Sequence, residues 1–199
     1  MLRFSPRPNS ANLIKWREWS PKAFDEAKAR KAPIMLLVGA FWCGVCQRMD
    51  ETSFSNDAII TLINGYFIPI RVEDAQRPDI DIRYNQNGWP TVVFMTPSGG
   101  HLLSVNYLPP EQLADVLVQI HQVYNEQRDQ IEETMVQNRN QTILKRPDAS
   151  TEQEPEESIL NEVSSILMAL ADNIHGGYGS DAKFPDVNAN EFLLQQYES

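Results

Sequence analysis

Cys43 and Cys46 are the only two cysteines among 199 residues, and two residues separate them. They follow an apolar run at residues 34–38, which predicts a buried strand that leads into a helix beginning at the cysteines. The start of a helix offers unpaired N–H groups and partial positive charge, which favour a thiolate over a thiol. The spacing therefore predicts redox chemistry, in which Cys43 attacks a disulfide and Cys46 resolves the mixed disulfide.

Two other roles for the cysteine pair are open from the sequence. A structural zinc site needs four ligands, typically with a second Cys/His pair at similar spacing, whereas His101, His121 and His175 are scattered along the chain. The cysteines could also be buried structural thiols without redox chemistry. We favour the redox interpretation, and we therefore expect no metal and no cofactor other than a Cys43–Cys46 disulfide.

Charge and hydrophobicity limit the classes of partner. The formal net charge is −10 and the pI is about 4.7, which argues against nucleic acid and against charge-driven binding to anionic membranes. The longest apolar run, at residues 34–45, is shorter than the ~20 residues of a membrane helix. The first residues lack a hydrophobic stretch typical of a secretory signal, so we expect a cytoplasmic protein whose partners are protein or peptide disulfides and thiols.

Hydrophobic periodicity and turn residues predict alternating strands and helices. The predicted strands are residues 34–39, 66–72, 91–96 and 101–105, and the predicted helices are residues 20–31, 43–54, 56–64, 78–84 and 110–138. An acidic, proline-containing stretch at residues 138–157 is typical of a solvated linker. We thus divide the chain into a domain at residues 1–137, the linker, and a helical extension at residues 158–199 with helices at 158–174 and 188–197.

This order of elements resembles the thioredoxin fold. Trp42-Cys43-Gly44-Val45-Cys46 is similar to the thioredoxin W-C-G-P-C motif, with Val45 in place of proline, and Trp89-Pro90-Thr91 is similar to the segment whose cis proline faces the disulfide. The resemblance covers roughly residues 15–125. It implies an α/β fold in which helices flank a mixed central sheet, here with the C-terminal helical extension, and it implies a cis Pro90.

The resemblance also implies a substrate groove beside the cysteines. Its predicted borders are Trp42, Gly44 and Val45 on one side and Trp89, Pro90 and Thr91 on the other. Core packing is the alternative role for the two tryptophans, because large aromatic side chains are usually buried.

A narrower resemblance is to the spermatogenesis-associated thioredoxin-like proteins, in which a thioredoxin domain precedes a large toroid of paired helices similar to sugar epimerases. It rests on Trp16-x-x-Trp19 and on residues 49–54, 77–81 and 88–90, with residues 176–179 and 183–185 similar to the junction where the toroid begins. This resemblance implies that the chain is a shortened member or a fragment.

The chain departs from both patterns at the site. The narrower family usually has C-H-W-C, whereas Gly44 and Val45 are nearer to thioredoxin. Leu37 occupies the position, six residues before Cys43, where thioredoxin has a buried acid that assists proton transfer, and neither Asp50 nor Glu51 can be assigned that role from the sequence.

Three functions follow from these patterns. The first is a thiol–disulfide oxidoreductase that reduces or exchanges protein disulfides. The second is a binding module or redox switch with little turnover, which Leu37 favours. The third, a sugar-epimerase-like activity of the helical region, is the least supported because that region is too short to enclose a pocket.

Overall fold

The computed structural model describes residues 2–85, 88–144, 157–179 and 186–198. The chain divides into two compact units, Met1–Lys145 and Arg146–Ser199. The predicted junction at residues 183–185 and most of the predicted linker, residues 145–156, lie outside the described residues.

A mixed four-stranded sheet forms the centre of the first unit. Its strands are β1 (Ile34–Gly39), β2 (Ile68–Glu73), β3 (Thr91–Met95) and β4 (His101–Val105), in the order β2-β1-β3-β4. Strand β1 runs parallel to β2 and antiparallel to β3, and β3 and β4 form an antiparallel hairpin. With helices on both faces, this arrangement confirms the predicted thioredoxin fold.

The central strand β1 is buried on both faces, which explains its continuous apolar sequence. Because successive side chains point to opposite faces, Met35 and Leu37 belong to one core cluster, whereas Ile34, Leu36 and Val38 belong to the other. The first cluster also contains Phe54, Ile63, Phe94 and Leu117, and the second contains Ala23, Ala27 and Ile80.

Strand β2 lies at one edge of the sheet and contains a proline. Pro69 has no N–H to donate, and it is tolerated here because no further strand of the sheet pairs with the outer side of β2. Arg17 adds a short parallel bridge along this edge, with its N–H donating to the Pro69 carbonyl at 2.9 Å.

Seven α-helices lie among the described residues. They are α1 (Pro21–Arg30), α2 (Gly44–Glu51), α3 (Asp57–Tyr66), α4 (Pro78–Tyr84), α5 (Pro110–Leu144), α6 (Glu157–Leu170) and α7 (Val187–Glu198). The predicted helix at 43–54 is shorter in the structure, because α2 ends at Glu51 and a separate 3₁₀ turn follows at Ser53–Ser55. Ser20 is the N-cap residue of α1, but its side chain makes no capping hydrogen bond.

Helix α5 continues past the predicted end at residue 138. It reaches Leu144 and carries one non-helical residue, Gln127, with φ −119° and ψ 18°. Residues 138–144 of the predicted linker are therefore helical, because the first helix-breaking proline of that stretch is Pro147.

Asn56 caps α3, and its removal gives a test of this local structure. Its side-chain oxygen accepts the N–H groups of Ala58 at 3.0 Å and Ile59 at 3.3 Å. We expect Asn56→Ala to lower the free energy of unfolding by about 1 kcal/mol, because two N–H groups of the first turn lose their partner. Urea unfolding followed by circular dichroism measures this loss, and an unchanged midpoint would contradict the capping role.

The second unit contains α6 and α7. An isolated bridge joins Ala171 to Tyr178 within it, and the Tyr178 hydroxyl donates to Asn190 Oδ1 at 2.7 Å. Many apolar side chains of this unit are exposed, including Ile166, Met168 and Leu194. None of the helices in the described part of the chain combines the length and hydrophobicity needed to cross a lipid bilayer.

Candidate functional site

Cys43 stands at the start of the helix that carries Cys46. It is the N-cap residue of α2, and its Sγ accepts the N–H of Cys46 at 3.3 Å. The same sulfur donates to the carbonyl oxygen of Trp89 at 3.6 Å. Cys43 is half-buried and Cys46 is only 6% exposed, and both are free thiols. The outer position of Cys43 agrees with the predicted roles, in which Cys43 attacks and Cys46 resolves.

Burial raises the pKa of the Cys46 thiol far above its usual range, and the hydrogen bond with Cys43 raises it further. The nearby Arg71 guanidinium acts in the opposite direction and lowers that pKa, but burial dominates. Cys46 is therefore protonated at neutral pH. It must lose this proton before it attacks a mixed disulfide, because the thiolate is the nucleophile.

The structure brings the predicted groove residues to the same place. Trp42 and Val45 are 58% and 45% exposed, and Gly44 is also exposed, so these three form a surface around Cys43. The rings of Trp42 and Trp89 meet edge to face, with centroids 5.2 Å apart. For Trp42, this exposure supports a surface role over core packing.

The segment opposite Cys43 is built around a cis peptide bond between Trp89 and Pro90, as expected from the resemblance. Pro90 and Thr91 are buried. The Thr91 hydroxyl donates to the Gly88 carbonyl at 2.7 Å, so this side chain holds the loop. Thr91 can therefore contact a substrate only through its backbone.

Two further residues that the sequence did not assign hold this segment. Asp81 Oδ1 accepts the indole N–H of Trp89 at 2.8 Å, and Asn106 donates its side-chain amide to the Pro90 carbonyl at 2.9 Å. On the same helix, Asp79 pairs with Arg77 at 2.7 Å on the surface, whereas Asp81 orients the ring at the groove.

A buried ion pair joins the redox helix to the sheet. Asp50 on α2 accepts from Arg71 on β2 twice, at 2.7 and 2.9 Å, and also accepts the N–H of Ser5 at 2.9 Å. The two side chains are 2% and 12% exposed. Arg71 lies beside Leu37 in the register of β1 with β2. The strand pairing thus places a charged pair next to the apolar residue that stands where thioredoxin has its acid.

A small recess lies behind Cys46. Leu37, Gly39, Cys46, Arg71, Glu73 and Pro90 are among the residues that line it. We call this the Cys46 recess. Glu73 Oε1 accepts the N–H of Phe41 at 2.8 Å, and burial raises the pKa of the Glu73 carboxyl. Glu73 was not predicted as a site residue, although a glutamate that ends a buried apolar strand was a visible signal.

Comparison with known families assigns this domain. The family model described as "Thioredox_DsbH: Protein of unknown function, DUF255" matches residues 7–143. The chain belongs to the Thioredox_DsbH family. The match spans the sheet, the cysteine pair and the cis-proline segment, so the family assignment covers the whole candidate site.

One relative with a similar sequence is spermatogenesis-associated protein 20 of Rattus norvegicus. The two are 30% identical over 208 residues, which cover 94% of this chain and 26% of the rat protein. The human protein of the same name is 29% identical over 206 residues and is likewise covered over 26% of its length. This chain of the Thioredox_DsbH family thus spans about a quarter of the length of these curated relatives.

Solved structures with similar folds include a thioredoxin from Thermus thermophilus and a protein named DsbH oxidoreductase. The first is 23% identical, with a TM-score of 0.48, and the match covers 54% of this chain and 86% of that one. The second is 17% identical, with a TM-score of 0.47, and the match covers 58% of this chain and 88% of that one.

The histidines have partners outside the cysteine pair. His101 contacts Ser104 at 2.7 Å, His121 stacks on Tyr66, and His175 contacts Asp172 at 3.3 Å in the second unit. Among the residues that the structure describes, no group of three His, Cys, Asp or Glu side chains is arranged to hold a metal ion.

Proposed function

We propose that the chain is a thiol–disulfide oxidoreductase that reduces or exchanges protein disulfides through Cys43 and Cys46. The observation that carries the proposal is the position of Cys43 Sγ at the helix start, between the N–H of Cys46 and the Trp89 carbonyl. A half-exposed sulfur at a helix N-terminus is suited to attack, and a buried second thiol on the same helix is suited to resolution. The family assignment and the thioredoxin fold support this proposal.

The reaction is a two-electron exchange in two steps. The Cys43 thiolate attacks one sulfur of a substrate disulfide, forms a mixed disulfide, and releases the other substrate sulfur as a thiolate. Cys46 then loses its proton and attacks Cys43 Sγ. The Cys43–Cys46 bond forms, the bond to the substrate breaks, and the second substrate sulfur leaves as a thiolate. The substrate is reduced to two thiols, and the protein is oxidised to a disulfide.

The groove offers a backbone acceptor to an extended substrate. In the reduced protein, the Trp89 carbonyl accepts the Cys43 S–H at 3.6 Å. Once Cys43 is bonded to a substrate sulfur, this S–H is gone, and the carbonyl is free for a substrate N–H. Trp42 and Trp89 provide aromatic surface beside it. These contacts favour a peptide or protein disulfide over a small inorganic oxidant.

A redox titration tests the proposal. The purified chain is equilibrated in glutathione buffers, and the thiol state of both cysteines is read by mass after alkylation. We expect one two-electron transition, and reduction of insulin disulfides faster than by dithiothreitol alone. A midpoint near about −270 mV indicates a reductant, and one above about −200 mV an oxidant or isomerase. If Cys43 and Cys46 form no bridge at any potential, the proposal is overturned.

The alternative is a binding module that uses the groove without turnover. Leu37, buried at 3% exposure where thioredoxin has an acid, is the observation that favours it. This alternative predicts that partners captured from solution stay bound when both cysteines are replaced by serine. The oxidoreductase proposal predicts that this double replacement removes the covalent partners.

A further inference from the structure

The second step of the proposed reaction needs a proton acceptor near Cys46. Its thiol is 6% exposed and lies against the Cys46 recess, so bulk water has little access to it. Leu37, which lines the same recess, has no group that accepts a proton. The acceptor must therefore come from another element that borders this space.

Asp50 is not available for this role. One of its oxygens accepts from Arg71 at 2.7 Å, and the other accepts from Arg71 and from the Ser5 N–H, both at 2.9 Å. Both Asp50 oxygens are thus occupied by other donors, and Asp50 is not among the residues that line the Cys46 recess. Its contacts show a role in positioning Arg71.

Glu73 has the geometry that Asp50 lacks. It is the last residue of β2 and lies beside Gly39 in the strand register. A Cβ placed on Gly39 would lie 3.4 Å from Cys46 Sγ, so the backbone next to Glu73 approaches the buried sulfur closely. Glu73 and Cys46 line the same recess. One Glu73 oxygen is fixed by the Phe41 N–H at 2.8 Å, and within the described residues the other accepts no hydrogen bond.

The groups around Glu73 adjust how well it holds a proton. Burial has the largest effect and raises the pKa of its carboxyl, and Asp74 raises it further. Arg71, from the same strand, and Arg3, from the N-terminal segment, act in the opposite direction, as does the Phe41 N–H. The net shift is upward, which brings this carboxyl closer to the pKa range useful for proton transfer at neutral pH.

We propose that Glu73 accepts the proton of Cys46 when Cys46 attacks the mixed disulfide, an inference that rests on the proposed function. The S–H proton passes to the Glu73 carboxylate, directly or through one water molecule in the recess. The resulting thiolate attacks Cys43 Sγ, the internal disulfide forms, and the substrate sulfur leaves as a thiolate. Glu73 then returns its proton to solvent. Glu73, on the neighbouring strand β2, thus serves as the proton acceptor that Leu37 on β1 cannot be.

The test separates the two sulfur steps with the aromatic disulfide 5,5′-dithiobis(2-nitrobenzoate). Each attack releases one coloured thiolate, first from Cys43 and then from Cys46, and stopped-flow absorbance follows both. We expect Glu73→Gln to slow the second release by about 100-fold at pH 7 and to leave the first unchanged. Glutamine keeps an oxygen for the Phe41 N–H, and an unchanged rate of the first release shows that the surroundings of Cys43 are intact.

The direction of the change distinguishes proton transfer from a charge effect. Loss of a nearby negative charge alone would favour the Cys46 thiolate and speed the second release. Glu51→Gln is the matched control, because it removes the same charge from α2, where Glu51 contacts Ser5 and Arg7 outside the recess. We expect this control to behave as the unaltered protein.

The pH profile gives a second readout. With Glu73 present, the second release should rise as the Glu73 carboxyl loses its proton and then level off. In Glu73→Gln, which has no carboxylate to accept the proton, the rate should rise about tenfold per pH unit across neutrality, because hydroxide becomes the only base. An unchanged or faster second release in this variant would overturn the inference while leaving the proposed function intact. A second release that persists in Cys46→Ser would overturn the proposed function itself.

Discussion

Replacing Cys46 with serine is expected to turn the protein into a trap for its substrates. Cys43 keeps its position at the start of α2 and still attacks a disulfide, but no second thiol is present to release the product. Multiple-turnover reduction of insulin should fall to the uncatalysed rate. Covalent complexes through Cys43 should accumulate, and they should disappear on treatment with dithiothreitol. Non-reducing electrophoresis followed by mass spectrometry detects them.

The matched control is Cys43→Ser, which leaves only the buried thiol. Cys46 is 6% exposed and burial raises its pKa, so this variant should capture few or no partners. Equal trapping by both variants, or trapping only through Cys46, would contradict the assignment of the attacking sulfur. The comparison also identifies the substrates directly, because dithiothreitol releases each captured protein from Cys43 for identification by mass spectrometry.

The positions of the cysteines could be predicted because they depend on local structure. A C-x-x-C pair after an apolar strand places both sulfurs on the first turn of a helix, and the structure has Cys43 as N-cap and Cys46 one turn on. The four strands also followed from local patterns of apolar residues and turns, whereas the mixed sheet that they form was implied only by the resemblance to thioredoxin. Trp89 and Pro90 could be placed opposite the cysteines only through the resemblance to thioredoxin, since Trp89 lies 46 positions after Cys43 in the chain.

The charged groups behind the site could not be predicted in the same way. Arg71 faces Leu37, and Glu73 faces Gly39, only because β1 and β2 pair in one particular register. A shift by one residue would move both side chains to the opposite face of the sheet. Asp50 contacts Arg71 only because α2 packs against the sheet with this side of the helix turned toward β2. No property of the isolated segments fixes these three-dimensional relations, although a charged residue inside an apolar strand marks a position that needs a partner.

Helix ends were the least accurate part of the sequence prediction. The cysteine helix was expected to reach residue 54, but it ends at Glu51, and the backbone leaves helical geometry at Thr52 with φ −115° and ψ −84°. The 3₁₀ turn that follows buries Phe54 at 0% exposure in the core. The early end of the helix thus coincides with burial of the Phe54 ring. This burial depends on the surrounding core and not on local helix propensity, so the sequence of the segment did not indicate it.

Breaking the Asp50–Arg71 pair is expected to cause a large loss of stability. With Asp50→Ala, the Arg71 guanidinium loses both carboxylate contacts and stays in a site where it is 12% exposed. Removal of one partner from a buried ion pair typically costs about 3–5 kcal/mol, because the remaining charge is uncompensated. The rings of Phe4 and Trp16, with centroids 4.6 and 5.7 Å from the guanidinium carbon, cannot replace a carboxylate. Urea unfolding followed by tryptophan fluorescence measures the change.

Two further variants show whether the loss comes from the unpaired charge. The double replacement Asp50→Leu with Arg71→Met removes both charges and keeps apolar volume, so it should lose less stability than Asp50→Ala alone. Asp79→Ala breaks the surface pair with Arg77, where the two side chains are 62% and 39% exposed, and it should hardly change the midpoint. If the double replacement is as unstable as Asp50→Ala, the pair acts through shape and not through charge. Arg71 also lowers the pKa of Cys46. The apolar double variant lacks this positive charge, so it should also slow the attack of Cys46 on the mixed disulfide.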